Sequence, residues 1–431
     1  VTASLLQAPR LHRTVLANGL TVIVLENPVA DIVSARLFIR AGSAFEAPHQ
    51  AGLVSFLMGL LTKGTETLSS MAIAETVESV GASLGTDAAA DYSLISLKTV
   101  SADFPEIFAL AATLLRQPSF PLDEIDLERR LTLQQIRSMQ EQPFTIAFNQ
   151  LRQDMYGEHP YALPGIGTEA SVAAITQQAL IDFHRQHMRP DNVVVTIVGR
   201  ISPEVAQAQV EQTLGDWQAP ATPPLALTLP AVAPAATCSM VAQDTNQAIV
   251  MVGYPGASVK HPAYAALKLI NTYLGNGLSS RLFVELREKR GLAYDVSAFY
   301  PTRLGLSQFV AYIGTAPENT ATALEGLRFE VERLQETVLS DEELQSAKNK
   351  LLGQYALGKQ TNAQIAQLLG WYEILGLGVE YDQQFQDMVA AVTVLDAEAV
   401  AQEFFHTPCI SLLGPEEAVG PVAAAQAQSV N

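Results

Sequence analysis

His184 and His187 stand three residues apart in a stretch that reads as a helix, a spacing that can bring two imidazoles to one metal ion, with Asp182 as a neighbour. The stretch also carries Arg185 and runs into Arg189 and Pro190, so the plainer reading is a cationic helix end in which the histidines serve the helix dipole. A second candidate, Gly81-Ala82-Ser83-Leu84-Gly85, has the spacing of a serine nucleophile elbow. An elbow needs a strand entering and a helix leaving. Here a helix enters and a strand leaves, which makes the segment a helix-to-strand turn. Cys238 and Cys409 are the only cysteines. Two thiols form neither a metal cluster nor a disulfide framework, and that usage suits a reducing compartment.

Such groups need a scaffold, and the composition provides for one. At roughly 100 to 200 residues per domain, 431 residues allow two to four domains. Charged residues make up 16% and hydrophobic residues 48%, against a usual charged share of about 25%, so the chain is globular rather than disordered. A net charge of -18 argues against nucleic acid or an anionic membrane surface as partner, whereas a cationic partner or a peptide is compatible. The charge-free stretch Trp217 to Gln243 exceeds the roughly 20 residues that span a bilayer, but Pro220, Pro223, Pro224, Pro230 and Pro234 interrupt it. It reads as a linker, and no membrane span is expected. Val1 to Pro9 lacks the basic and apolar segments of a secretory leader, which makes a cytoplasmic location the expectation.

An internal repeat organises the chain. Leu37 to Gly42 is echoed by Met251 to Gly256, Glu124-Ile125 and Gln135 by Glu343-Leu344 and Gln354, Val172 to Thr176 by Val389 to Thr393, and Gly199 after its strand by Gly414, all at offsets of 214 to 219 residues. Two similar domains follow, 1–215 and 236–431, joined by a proline-rich linker over 216–235. In the first, Leu20 to Leu25, Ile32 to Ile39 and Tyr92 to Val100 read as strands. Gly52 to Leu61 reads as a buried helix, Ser70 as the cap of a helix ending at Gly81, and Phe104 to Leu115 and Leu122 to Gln140 as longer helices. Without strict strand-helix alternation, each half is α+β, expected as a mainly antiparallel sheet with packed helices.

The order of these elements, the duplication and several local strings resemble the pitrilysin family, which includes the mitochondrial processing peptidases. The strings are Leu16-Ala17-Asn18-Gly19-Leu20, Arg40-Ala41-Gly42-Ser43 and Gly52 through Thr65 in the first half, and Ser280-Arg281-Leu282-Phe283, Glu285-Leu286-Arg287 and Gly291-Leu292-Ala293-Tyr294 in the second. The resemblance covers nearly the whole chain and implies a clamshell half-chamber. Active relatives bear an inverted zinc motif, H-x-x-E-H, whose histidines bind the metal while its glutamate activates water. The matching positions here are Ser55, Met58 and Gly59, and the third-ligand position on the later helix is Gln135; Glu128, on that helix, matches a family acidic position.

By the resemblance, this chain binds no metal and needs no cofactor of its own. What it retains is Arg287 and Tyr294, the pair that in relatives holds the substrate backbone and steadies the oxyanion. Gly291 is expected to stop the helix bearing Arg287, and Ser279 or Ser280 to cap it, while Gly275 and Gly277 are a candidate loop for close approach of a substrate strand. The implied function is a non-catalytic, substrate-holding subunit of a heterodimeric zinc peptidase. Its expected partners are a homologous subunit carrying zinc and a peptide substrate, with a homodimer in the partner's absence. The alternative is a scaffold member of the family with no role in cleavage.

Overall fold

Branched apolar runs become strands close to where the sequence places them. The computed structural model describes residues 11–430; the Val1 to Pro9 stretch lies outside them. Strands β1 (Leu11–Val15), β2 (Thr21–Glu26), β3 (Val33–Ile39), β4 (Ser83–Ala88), β5 (Ser93–Thr99) and β6 (Val193–Gly199) form one sheet, in the order β1-β2-β6-β3-β5-β4. Strands β7 (Thr237–Ala242), β8 (Ala248–Gly256), β9 (Asp295–Phe299), β10 (Ser307–Thr315) and β11 (Cys409–Gly414) form another, in the order β7-β11-β8-β10-β9. In each sheet one pair is parallel, β2 with β6 and β11 with β7, and every other pair is antiparallel. The sequence repeat is thus a topological repeat, with β1 the extra strand. Strands β6, β8 and β11 are buried along their whole length, which is why they read as continuous apolar runs rather than alternating ones.

The helices are α1 (Leu53–Leu60), α2 (Ser70–Ser79), α3 (Phe104–Arg116), α4 (Leu122–Gln140), α5 (Pro143–Tyr156), α6 (Glu169–Ala174), α7 (Gln177–His187) and α8 (Pro203–Leu214). After the linker come α9 (Tyr264–Gly275), α10 (Thr320–Glu332), α11 (Asp341–Leu357), α12 (Asn362–Ile374), α13 (Tyr381–Ala391), α14 (Val394–Phe404) and α15 (Glu416–Val430). The cap of α2 is Ser69 rather than Ser70: the Ser69 hydroxyl accepts the Ala72 N–H at 3.3 Å, whereas Ser70 donates to Glu124 at 2.7 Å. Ser70 already has helical backbone geometry, so its side chain cannot reach back to the free amides of the first turn. Gly81, at φ +64, ends the helix as expected.

Two compact units differ from the sequence halves by an exchange of segments. Of the described residues, the first comprises 11–134, 165–228 and 356–382; the second comprises 135–164, 229–355 and 383–430. Residues 216–235 contain no helix or strand, as read from their prolines. The first sheet is covered by α12, from the second half of the sequence, which packs on β3 and β6. Gly370 makes the approach possible, since a Cβ there would stand 2.3 Å from Phe38 Cε2 and 2.5 Å from Thr196 Oγ1. The second sheet is covered by α5, from the first half, whose Ala147 and Leu151 are buried with Met251, Val310 and Leu413. Ser411 fixes that docking by donating to the Ala147 carbonyl at 2.9 Å.

Candidate functional site

In the first unit, α1 opens at Gly52, held at φ +89, a left-handed conformation that favours glycine. The N–H groups of Gly52 and Val54 donate to the Glu46 carboxyl oxygens at 2.8 and 2.7 Å, so a buried carboxyl group anchors the start of this helix. Burial pushes the Glu46 pKa up to about 8, against the two N–H donors, which favour the charged form. Phe56, Leu57 and Met58 are buried, and the Met58 carbonyl accepts the Thr86 hydroxyl at 2.7 Å. Ser55 is partly buried and Gln135 is exposed on α4.

Glu128 lies directly over Gly59, its Oε1 2.9 Å from where a Cβ would sit. Burial raises the Glu128 pKa, with Lys63 opposing. A carboxylate therefore occupies the room that a side chain at position 59 would need. Among the described residues no group of three or more His, Cys, Asp or Glu could hold a metal.

The two histidines on α7 have other work. His184 donates through Nε2 to the Leu115 carbonyl at 2.8 Å, and His187 packs against Phe183 with ring centroids 4.2 Å apart and against Phe45 at 5.3 Å. Burial lowers the pKa of both, that of His187 to about 4. They are neutral packing groups, which corrects the reading of a charged helix end. Ser83 is exposed at the start of β4, the helix-to-strand turn expected of it. Cys238 and Cys409 are free. They lie on neighbouring strands, but Cys409 stands opposite Thr237 and Cys238 opposite Ile410, so the thiols face opposite sides of the sheet.

In the second unit, Arg287 belongs to a π-helical segment, Phe283–Lys289, rather than an α-helix. Such i→i+5 turns are rare and concentrate at functional sites. Leu282 and Leu286 are buried, and Arg281 ties the segment down by pairing with Glu285 at 3.0 Å and with Glu330 at 2.8 Å. Arg287 points the other way: it is exposed, its guanidinium rests 5.0 Å from the Phe283 ring centre, and no carboxylate among the described residues pairs with it. Gly291, at φ +63, turns the chain toward β9. The Tyr294 N–H donates to the Gly314 carbonyl at 2.8 Å, holding its backbone beside the sheet while its side chain stays 63% exposed. With Pro143, Thr245, Asn246 and Gln247, Tyr294 lines an open cavity of about 490 Å³.

The glycine loop differs from expectation. A Cβ on Gly275 would stand 2.0 Å from the Ala298 N, so this glycine lets α9 pack against β9. Gly277 has φ +86 and makes the turn, while Lys350 pins the loop by donating to the Asn276 carbonyl. Neither serine caps the Arg287 helix: the Ser280 hydroxyl is buried without a partner, and Ser279 accepts from Lys350 at 3.4 Å. Sequence reasoning missed Glu46, because nothing local distinguishes a surface glutamate from one that the fold buries beneath two amides.

Residues 21–169 match the model of insulinase (peptidase family M16), and residues 174–351 match that of the peptidase M16 inactive domain. The chain belongs to the peptidase M16 family. An uncharacterized zinc protease of Streptomyces coelicolor is 28% identical over 94% of this M16 chain and 90% of its own length, and another from Mycobacterium leprae is 28% identical over 94% and 91%. The crystal structure of a peptidase M16 inactive domain from Pseudomonas fluorescens superposes with a TM-score of 0.88 at 27% identity, covering 94% of this chain and 98% of that one. A protease from Helicobacter pylori shares the fold with a TM-score of 0.88 at 22% identity, covering 94% and 100%. Both halves of the family pattern are therefore present, in an α+β fold of two mixed sheets packed with helices. No helix among the described residues is long and apolar enough to cross a membrane.

Proposed function

We propose that this chain is the non-catalytic, substrate-holding subunit of a two-chain zinc peptidase, and that a homologous partner carrying H-x-x-E-H supplies the metal. The observation that carries this reading is the presentation of Arg287 and Tyr294: both are exposed, in a member of a peptidase family that, by the resemblance, carries Ser55, Met58, Gly59 and Gln135 where active relatives bear the zinc motif and third ligand. A guanidinium fork and a phenol both donate to a carbonyl that gains negative charge, and donors already in place at that oxygen lower the barrier. The exposed π-helical turn offers Arg287 to a peptide backbone, and the open cavity beside Tyr294 leaves room for one.

The test is a fluorogenic-peptide assay on this chain mixed with its zinc-bearing partner. Arg287→Ala or Tyr294→Phe is expected to lower the rate by about a hundredfold to a thousandfold, the usual cost of losing one oxyanion donor. Gel filtration should show association with the partner unchanged, and elemental analysis should find no stoichiometric zinc in this chain alone. Full activity in both variants would leave a scaffold as the better account.

A further inference from the structure

Within the first unit, β3 turns Arg36 and Phe38 toward α12. The helix answers with one stripe: Gln364, Gln367, Leu368 and Trp371, at i, i+3, i+4 and i+7. Between them lies a cavity of about 390 Å³, walled on the sheet side by Arg36 and Tyr92. The aromatic walls are held in place, Tyr92 against Phe38 at 5.4 Å and Trp371 against Tyr372 at 5.4 Å.

Arg36 is the unusual member. Its Nη1 donates to the carbonyls of Ala35 at 3.0 Å and Leu97 at 3.4 Å, and no carboxylate among the described residues pairs with it. No Asp or Glu lines the cavity. Elsewhere in this unit the exposed Arg13 pairs with Glu373 at 2.8 Å and the buried Arg189 with Asp191 at 2.5 Å, whereas Arg129, like Arg36, donates to backbone carbonyls, those of Val172, Ala173 and Ile175. A guanidinium withdrawn from water without a counter-charge is costly, and here burial lowers its pKa. Among the other polar groups of the lining, Gln364 adds a donor. Gln364 accepts both the N–H and the hydroxyl of Thr361 through Oε1, each at 3.0 Å, which leaves its Nε2 to donate.

We propose that this cavity binds a carboxylate carried beside an aromatic or large apolar side chain, with Arg36 taking the anion and Trp371, Tyr92 and Leu368 the apolar body. A peptide ending in such a residue and a free aromatic carboxylate share that chemistry. The peptide source rests on the peptide-handling reading above; the site itself does not.

The chain has two tryptophans, so Trp217→Phe leaves Trp371 as the sole reporter. In that background, N-acetyl-phenylalanine and a pentapeptide ending in phenylalanine are titrated against their C-terminal amides, following Trp371 fluorescence. The acids should saturate and bind at least about tenfold more tightly than the amides, as a charge-assisted pair demands. Arg36→Met should bring the acids down to the level of the amides without lowering the melting temperature, since it removes a charge that no carboxylate compensates. Gln367→Leu, which leaves Arg36 in place, should weaken the acids more than the amides.

Tighter binding of the peptide acid than of N-acetyl-phenylalanine assigns the site to peptide ends; equal binding assigns it to small aromatic carboxylates. Acids and amides binding alike, an unaltered Arg36→Met, or no saturation by about 10 mM would overturn the proposal. Because the assay uses this chain without a partner, failure of the Arg287 and Tyr294 experiment would leave the result standing.

Discussion

At the residue scale, the least expected behaviour is that of the histidines on α7. His187 is 4% exposed between Phe183 and Phe45, and burial brings its pKa down to about 4 from an ordinary 6.5. Between those two values the unfolded chain binds a proton that the folded chain refuses, so this residue's contribution is whole above pH 6.5 and falls away as the pH drops toward 4. His187→Phe keeps the ring packing and removes the titration. The urea midpoint of the variant should therefore change less between pH 7 and pH 5 than that of the parent; an equal change would show that His187 titrates in the folded protein as it does in water. Residue identity was legible in the sequence. Burial was not, because the same H-x-x-H spacing serves a metal, a helix end or an aromatic pocket according to what packs on it.

At the element scale, the docking of α12 rests on the absence of a side chain. Gly370→Ala would place a carbon 2.3 Å from Phe38 and 2.5 Å from Thr196, in a core that cannot open without moving the helix off the sheet. Overpacking of this kind costs about 1–3 kcal/mol. The same substitution at Gly353, within α11 and with nothing within 4 Å of the new carbon, should stabilise by about 0.4–1 kcal/mol by lowering the entropy of the unfolded chain. Urea unfolding of the two variants should give opposite signs. Matching signs would mean that the α12 contact is looser than it stands here. Strand and helix positions were largely readable, since period-two and apolar-run patterns are local. The π form of the Arg287 segment was not, because no local pattern marks it and the segment is tied through Arg281 to Glu330, 49 residues further along the chain.

At the scale of the whole molecule, the exchanged helices tie the two halves of the sequence together. A fragment ending at Thr228 lacks α12 and carries α5 without its sheet; the complementary fragment lacks α5 and carries α12 without its own. Each would expose a sheet face and a helix face that the intact chain buries. Expressed singly, both fragments should be aggregated or show no cooperative thermal transition by circular dichroism. Expressed together, they should recover one. A cooperative melt from either fragment alone would show that its sheet needs no borrowed helix.

The sequence alone determined what depends on identity and short-range pattern: an α+β fold with a repeated order of strands, a proline-rich stretch between the repeats, and the identities of residues such as Ser55, Met58, Gly59, Arg287 and Tyr294. Those follow from covalent identity and from periodicities that any stretch of chain carries with it. Only the tertiary structure decided which helix covers which sheet, that Glu128 fills the space over Gly59, and that Arg36 faces an aromatic cavity with no acid beside it. Each of these is a meeting of segments far apart in the chain, from nearly 70 to more than 300 residues, and burial and charge compensation are properties of such meetings rather than of either segment.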